Sequence, residues 1–319
     1  MIPLQVQKIL VAVANPSRRS NKAVSRAAEL AHRTGASLEL FNAIPTPQIA
    51  LGYAAASVAA GMRAAVAQNR ADLERIANRL RREELVVETA VQTGYAVHEA
   101  ILRQALLCQA DLVVIEAHRH NRLARLLLSQ TDFELIRRSA VPLLIVKGSR
   151  AWRSPRVLAA LDPLHAHDKP QALDAQIADA AATVAALVGG TLHLTHVCRP
   201  LVELFPGVVM EATILTVTPA QEKSYEAGVR RQFYKAISPY GVSPKRRHFL
   251  RGDPATQLPS LARSLKAGLV VMGAVSRSRL KRMFIGHTAE HVLDALSCDV
   301  LVVKPPDLRA AKFWQFSAA

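Results

Sequence analysis

Lys8-Ile9-Leu10-Val11-Ala12-Val13 begins the first apolar run of the chain, and Arg156-Val157-Leu158-Ala159-Ala160-Leu161 repeats it near the middle. Two more echoes follow in the same order. Ala110-Asp111-Leu112-Val113-Val114-Ile115 returns as Ala267-Gly268-Leu269-Val270-Val271-Met272. Val141-Pro142-Leu143-Leu144-Ile145-Val146-Lys147 returns as Cys298-Asp299-Val300-Leu301-Val302-Val303-Lys304. Three echoes in one order mark a duplicated domain. Each run is short and continuously apolar, the pattern of a strand covered on both faces of a parallel sheet.

Outward from these runs, each half alternates strands with helical segments. After the first strand comes a helix over Asn21 to Arg33, with Ala23, Ala27, Leu30 and Ala31 on one side, and its counterpart spans Ala172 to Leu187. A second strand (Ser37 to Ala43; Thr191 to Val197) leads into a Pro-containing irregular segment and a long helix, about Ala54 to Arg82 and about Ala220 to Ser238. A third strand (Val86 to Val91; Lys245 to Leu250), a helix, a fourth strand (Asp111 to Glu116; Leu269 to Gly273), a helix and a fifth strand complete each half. Strands alternating with helices predict an α/β fold: two tandem domains, each a five-stranded parallel sheet flanked by helices. The seam is Gly148 to Pro155, with linker-like Ser149, Ser154 and Pro155. The expected domains are residues 1–149 and 154–305, followed by a tail, 306–319, whose Phe313, Trp314 and Phe316 are expected to dock on the surface.

Composition agrees with this. The chain has 319 residues, half of them hydrophobic and 21% charged, which excludes a disordered chain, a collagen and a coiled-coil rod. Lys and Arg number 41 against 25 Asp and Glu, a net +16 that favours anionic partners. The basic residues are scattered, and the short clusters Lys245-Arg246-Arg247 and Arg277 to Arg282 do not form a dense nucleic-acid stripe. Cys108, Cys198 and Cys298 are far apart and odd in number, which points to a reducing compartment; Cys108 and Cys298 read as buried, inert thiols. Residues 1–13 carry no signal-peptide pattern. Leu40 to Met62 lacks charge, but its Pro45 and Pro47 fit a loop into a helix better than a membrane span. A cytoplasmic protein not integrated in a membrane is expected.

In an open parallel sheet, ligands sit beyond the carboxyl ends of the strands at the switch point. In the second half the first strand ends at Asp162. The fourth ends at Gly273, which begins Gly273-Ala274-Val275-Ser276, then nine residues, then Gly286-His287-Thr288-Ala289-Glu290. Glycines there let a backbone approach a phosphate, and the following helix offers free N–H groups. Asp162, Gly273, Ser276, Gly286, His287 and Thr288 are therefore the candidate ligand-binding residues. Each has a plainer reading: Asp162 as a turn cap, Gly286 as a turn glycine, Thr288 as a helix cap.

This arrangement resembles the universal stress protein family, whose nucleotide-binding members carry Gly, two residues, Gly, nine residues, Gly, then Ser or Thr. Gly286-His287-Thr288-Ala289-Glu290 looks like the Gly-Asn-Thr-Ala-Glu of its tandem members. Ala117-His118-Arg119-His120-Asn121-Arg122-Leu123 and Thr131-Asp132 look like their first-half signature. The resemblance covers both halves. It implies flavodoxin-like domains, a cytoplasmic stress-response role, no catalytic residues and no required cofactor, with ATP or a related nucleotide as a candidate ligand. The departures matter. Ser276 stands where ATP-binding members place the second glycine, and His287 stands at the Ser/Thr position. In the first half Glu116, Arg119, Ser129 and Gln130 occupy the four key positions, and Ala14 aligns with Asp162. Glu116 would aim a negative charge at any phosphate, so a nucleotide site is expected in the second half alone.

His118, His120, His165 and His167 tempt a metal reading, but two pairs in different halves define no coordination geometry, and no metal site is assigned. His193 and His196 lie on opposite faces of one strand. There is no Walker lysine motif, no Gly-x-Ser-x-Gly elbow and no HExxH. Three functions stay open. One is a non-enzymatic stress protein with a nucleotide or other small anionic ligand in its second domain. Another is a binder of an amphiphilic ligand through the apolar segments Ile44 to Met62 and Leu201 to Val217, which could equally pack the halves together. The last is a nucleic-acid-associated protein, opposed by the absence of stacking aromatics. The halves are expected to pair as an intramolecular pseudo-dimer near Leu143 to Val146 and Val300 to Val303.

Overall fold

The computed structural model describes residues 6–45, 55–93, 96–117, 128–148, 151–164, 173–204, 209–210, 213–214, 217–273 and 287–304. The chain divides into two compact units, Gln5–Ala151 and Trp152–Pro305. The first contains β1 (Lys8–Ala12), α1 (Lys22–Thr34), β2 (Ser37–Ile44), α2 (Ala55–Arg81), β3 (Val87–Thr93), α3 (Val97–Leu107), β4 (Leu112–Glu116), α4 (Gln130–Arg138) and β5 (Leu143–Val146). Its strands are parallel in the order β3-β2-β1-β4-β5.

The second unit contains β6 (Arg156–Ala160), α5 (Leu173–Leu187), β7 (Thr191–Cys198), a short antiparallel pair β8 (Val209–Met210) and β9 (Thr213–Ile214), α6 (Pro219–Ile237), β10 (Arg247–Arg251), α7 (Pro254–Ser264), β11 (Leu269–Gly273), α8 (His287–Ala295) and β12 (Asp299–Val303). Its parallel strands run β10-β7-β6-β11-β12. Both units are flavodoxin-like α/β domains, and in both the chain reverses direction across the sheet between the first and fourth strands. β1 lies beside β4, and β6 beside β11. That neighbourhood is the switch point.

The sequence accounts for these elements locally. Asn21 caps α1 by accepting the Val24 N–H at 3.1 Å, and Gly35, with φ 72°, ends the helix in the left-handed conformation glycine adopts without strain. α6 starts on a capping box, Thr218 with Gln221, with Pro219 in the first turn. Ile9, Leu10 and Val11 of β1 and Val157, Leu158 and Ala159 of β6 are wholly buried, as continuous apolar strands require.

Three local differences stand out. The third strand of the second unit starts at Arg247, because Pro244, which has no N–H to give a ladder, opens a 3-10 turn over Pro244–Arg246. The segment after β7 carries a 3-10 turn (Leu201–Leu204) and the β8–β9 pair. Pro155 of the expected linker is buried. A Cβ on Gly190 would lie 2.4 Å from its carbonyl oxygen, and one on Gly268 would lie 2.7 Å from its Cβ. Two glycines thus close around Pro155, and Trp152 is buried beside it. The segment Leu40 to Met62 holds the end of β2 and the start of α2 among its described residues. No described helix is long and apolar enough to cross a membrane. The tail at 306–319 lies outside the described residues.

Candidate functional site

In the second unit the chain leaves β6 at Leu161, whose N–H donates to the Thr195 carbonyl at 2.9 Å. Its carbonyl accepts from His196 Nδ1, also at 2.9 Å, so that nitrogen carries the proton. The Asp162 N–H then donates to the Asp174 carboxylate at the start of α5, at 3.1 Å. These bonds fix the backbone on either side of Asp162 and leave Asp162 itself exposed at the strand end. The first unit repeats the arrangement with a different residue: Asn42, the β2 counterpart of His196, donates to the Val13 carbonyl at 2.7 Å.

Gly273 ends β11 beside β6. A Cβ there would lie 3.0 Å from Leu173 Cδ2 and 3.2 Å from Ile177 Cδ1. The missing side chain admits α5 against the strand end, so packing accounts for this glycine. Thr288, in the first turn of α8, accepts from Arg199 Nη2 at 2.8 Å, and the same nitrogen reaches Asp253 Oδ1 at 3.4 Å. Arg199 follows β7, and Asp253 precedes α7. At the end of β7 the Cys198 thiol meets the Tyr225 hydroxyl. Burial, reinforced by the charge of Glu226, raises the thiol. Burial, then the nearby thiol and the charge of Asp162, pushes the phenol up to about 12, so both are neutral at physiological pH. Ser276 and Gly286 lie outside the described residues. His287 starts α8.

The first unit is built differently at the same positions. Glu116, where the second unit has Gly273, accepts the backbone N–H of Lys22 at 3.0 Å and so occupies the N-terminus of α1. Ser129 caps α4: its hydroxyl accepts the Asp132 N–H at 3.2 Å, and the Asp132 carboxylate accepts the Ser129 N–H at 2.8 Å. Carboxylates therefore sit at both helix starts that face the switch point, where an incoming anion would need free N–H groups. Arg119 lies outside the described residues.

Among the described residues no group of three or more His, Cys, Asp or Glu could hold a metal ion. His118, His120, His165 and His167 lie outside them. His193 instead stacks on His248, with Nδ1 and Nε2 3.0 Å apart. Burial first, then His248, Arg246 and Arg156, lowers the His193 pKa to about 4, and burial lowers His248 as well. The thiol reading needs correction. Cys198 is the buried cysteine, whereas Cys108 and Cys298 are part-exposed. Cys108 is not in an apolar setting, because the Glu39 carboxylate lies beside it. Burial and that charge push its thiol up to about 12, so it is inert for a different reason.

Arg199, Asp253, Asp174 and Tyr225 escaped the motif reading, and His196 entered it only as a residue on the strand face opposite His193. The others join the site through sheet order and not through spacing.

The sequence model of the universal stress protein family matches residues 5–147 and again 156–304. Universal stress protein E of Escherichia coli K12 is 31% identical over 213 residues, 65% of this chain and 65% of that protein, so the match spans just under two thirds of its length. The Photorhabdus laumondii protein of the same name is 25% identical over 308 residues, 93% of this chain and 94% of its own. Among solved structures, a Pseudomonas aeruginosa UCBPP-PA14 protein assigned to the same family superposes with TM-score 0.76 at 26% identity, covering 97% of this chain and 96% of that one. An Archaeoglobus fulgidus universal stress protein, 16% identical over 94% of this chain and 99% of its own, shares the fold at TM-score 0.67. With two family matches that take up nearly all of its described residues, the chain belongs to the universal stress protein family and carries two such domains in tandem.

Proposed function

We propose that this stress-response family member is a cytoplasmic, non-enzymatic binder of a small anionic ligand of the nucleotide class, held in the second unit between the ends of β6 and β11. The first unit serves as a closed partner domain. The observation that carries this reading is the contrast between the units. Glu116 and Asp132 fill the first crevice with carboxylates, while the second presents an exposed Asp162, Thr288 and an arginine at the same level. Asp162 suits neutral donors such as ribose hydroxyls, and the arginine side suits the anionic end.

Native mass spectrometry of freshly purified protein tests it. A retained nucleotide supports the reading, whereas a retained lipid replaces it with the amphiphile reading. No retained ligand together with salt-sensitive DNA binding replaces it with a nucleic-acid role. We further propose that the halves pair through Leu143 to Val146 and Val300 to Val303, a reading that rests on two continuous apolar runs. Separately expressed halves that fail to associate would refute it.

A further inference from the structure

Arg199 leaves the end of β7 and bonds to α8, which follows β11. In the sheet, β6 separates β7 from β11, so the side chain spans the switch crevice past the end of β6 where Asp162 stands. An arginine carries five N–H donors in a planar fork that matches a phosphate. Among the described residues, Nη2 alone is engaged, which leaves Nε and Nη1 for a ligand. The side chain is 30% exposed and that of Asp253 is 44% exposed, so solutes reach both.

Asp253 holds an unusual position. It is the N-cap residue of α7, yet its side chain makes no capping hydrogen bond. An aspartate there ordinarily bonds the helix N–H groups. Here one oxygen accepts from Thr256 Oγ1 at 3.3 Å and the other faces Arg199 at 3.4 Å, the long end of hydrogen-bond range. Exposed ion pairs of this kind are weak, whereas a fork-to-phosphate contact is among the stronger polar interactions. If an anion takes Arg199, the Asp253 carboxylate has a second seat waiting on the α7 amides.

The first unit lacks this device. The registers Ile44 with Thr93 and Cys198 with Arg251 make Pro45 the counterpart of Arg199, so no arginine stands there.

We propose that Arg199 is the anion-recognising residue of the second-unit crevice, and that Asp253 is a built-in carboxylate that holds Arg199 until a phosphate-bearing ligand displaces it. This rests on the ligand reading above and specifies the class: a small molecule with a terminal phosphate or polyphosphate, bound by Arg199 together with the Thr288 hydroxyl.

The test titrates the full chain with ATP and with adenosine by calorimetry, alongside Arg199→Gln, Arg199→Lys and Asp253→Asn. Arg199→Gln is expected to weaken ATP by roughly tenfold or more, one charge-assisted contact, and to leave adenosine unchanged. Arg199→Lys keeps the charge without the fork and falls between. Asp253→Asn removes the competing carboxylate and binds ATP more tightly than wild type. Wild-type ATP affinity in Arg199→Gln, or weaker ATP binding in Asp253→Asn, overturns the proposal. If wild type binds neither ATP nor adenosine, the nucleotide reading fails, and the Arg199 claim is decided with inorganic pyrophosphate. The Arg199 Nε–H NMR signal, identified by its loss in Arg199→Gln, should then shift to saturation, at lower concentration in Asp253→Asn. An unmoved signal overturns the proposal.

Discussion

Gly273 shows how one residue answers to packing before it answers to a ligand. With Leu173 Cδ2 and Ile177 Cδ1 at 3.0 and 3.2 Å from any added Cβ, Gly273→Ala forces α5 outward. A loss of about 1–3 kcal/mol in urea unfolding is expected. Shortening Leu173 to Ala in the same chain should recover part of it, which a double-mutant cycle reads as favourable coupling. The Ser129 cap is a second such residue. Ser129→Ala removes the acceptor of the Asp132 N–H and should cost about 1 kcal/mol without creating anion binding, since the Asp132 and Glu116 carboxylates stay in place. The carboxylate at the first-half strand end was legible in sequence, because Glu116 stands where the second half has Gly273. The assembly of Arg199, Asp253 and Thr288 was not. Asp253 and Thr288 lie 54 and 89 positions beyond Arg199 along the chain, and only the order β10-β7-β6-β11 brings the three together.

At the level of elements, the repeat made most strands readable, because a strand buried on both faces is a continuous apolar run. It failed where backbone chemistry overrode side-chain pattern, as at Pro244, and where a short pair such as β8–β9 leaves too few residues for a period to show. The facing strands β7 and β10 carry a consequence that the pattern does not reveal. His193 of β7 has a folded pKa of about 4 against an ordinary value near 6.5, through burial first and then His248, Arg246 and Arg156. Between pH 6.5 and 4 the unfolded chain binds the extra proton, so stability falls as pH falls through that window, by at most about 1.4 kcal/mol per unit from this residue. Above pH 6.5 the contribution is flat. Denaturant midpoints at pH 7, 5.5 and 4.5 should converge for wild type and His193→Gln as the pH falls. Parallel pH profiles would contradict this origin.

For the whole molecule, duplication has given two crevices with different fates. In the first, side chains of the protein's own occupy the helix starts; in the second, Arg199 bonds Thr288 and faces Asp253. The proposed site gives Arg199, Thr288 and Asp162 the part of holding a ligand and none of them the part of nucleophile or metal ligand, so slow phosphoryl transfer is expected of it. Phosphate release from ATP should stay well below about 1 s⁻¹, an ordinary enzyme rate. A faster turnover abolished by His287→Ala would show chemistry at the start of α8. The most direct test of the central claim is hydrogen exchange of the full chain with and without saturating ATP, read by mass spectrometry. Protection is predicted in peptides covering 157–164, 196–202 and 287–295, with no change over 9–16, 112–117 and 128–136. Protection in the first-unit peptides, or no change in any of them, would contradict the account.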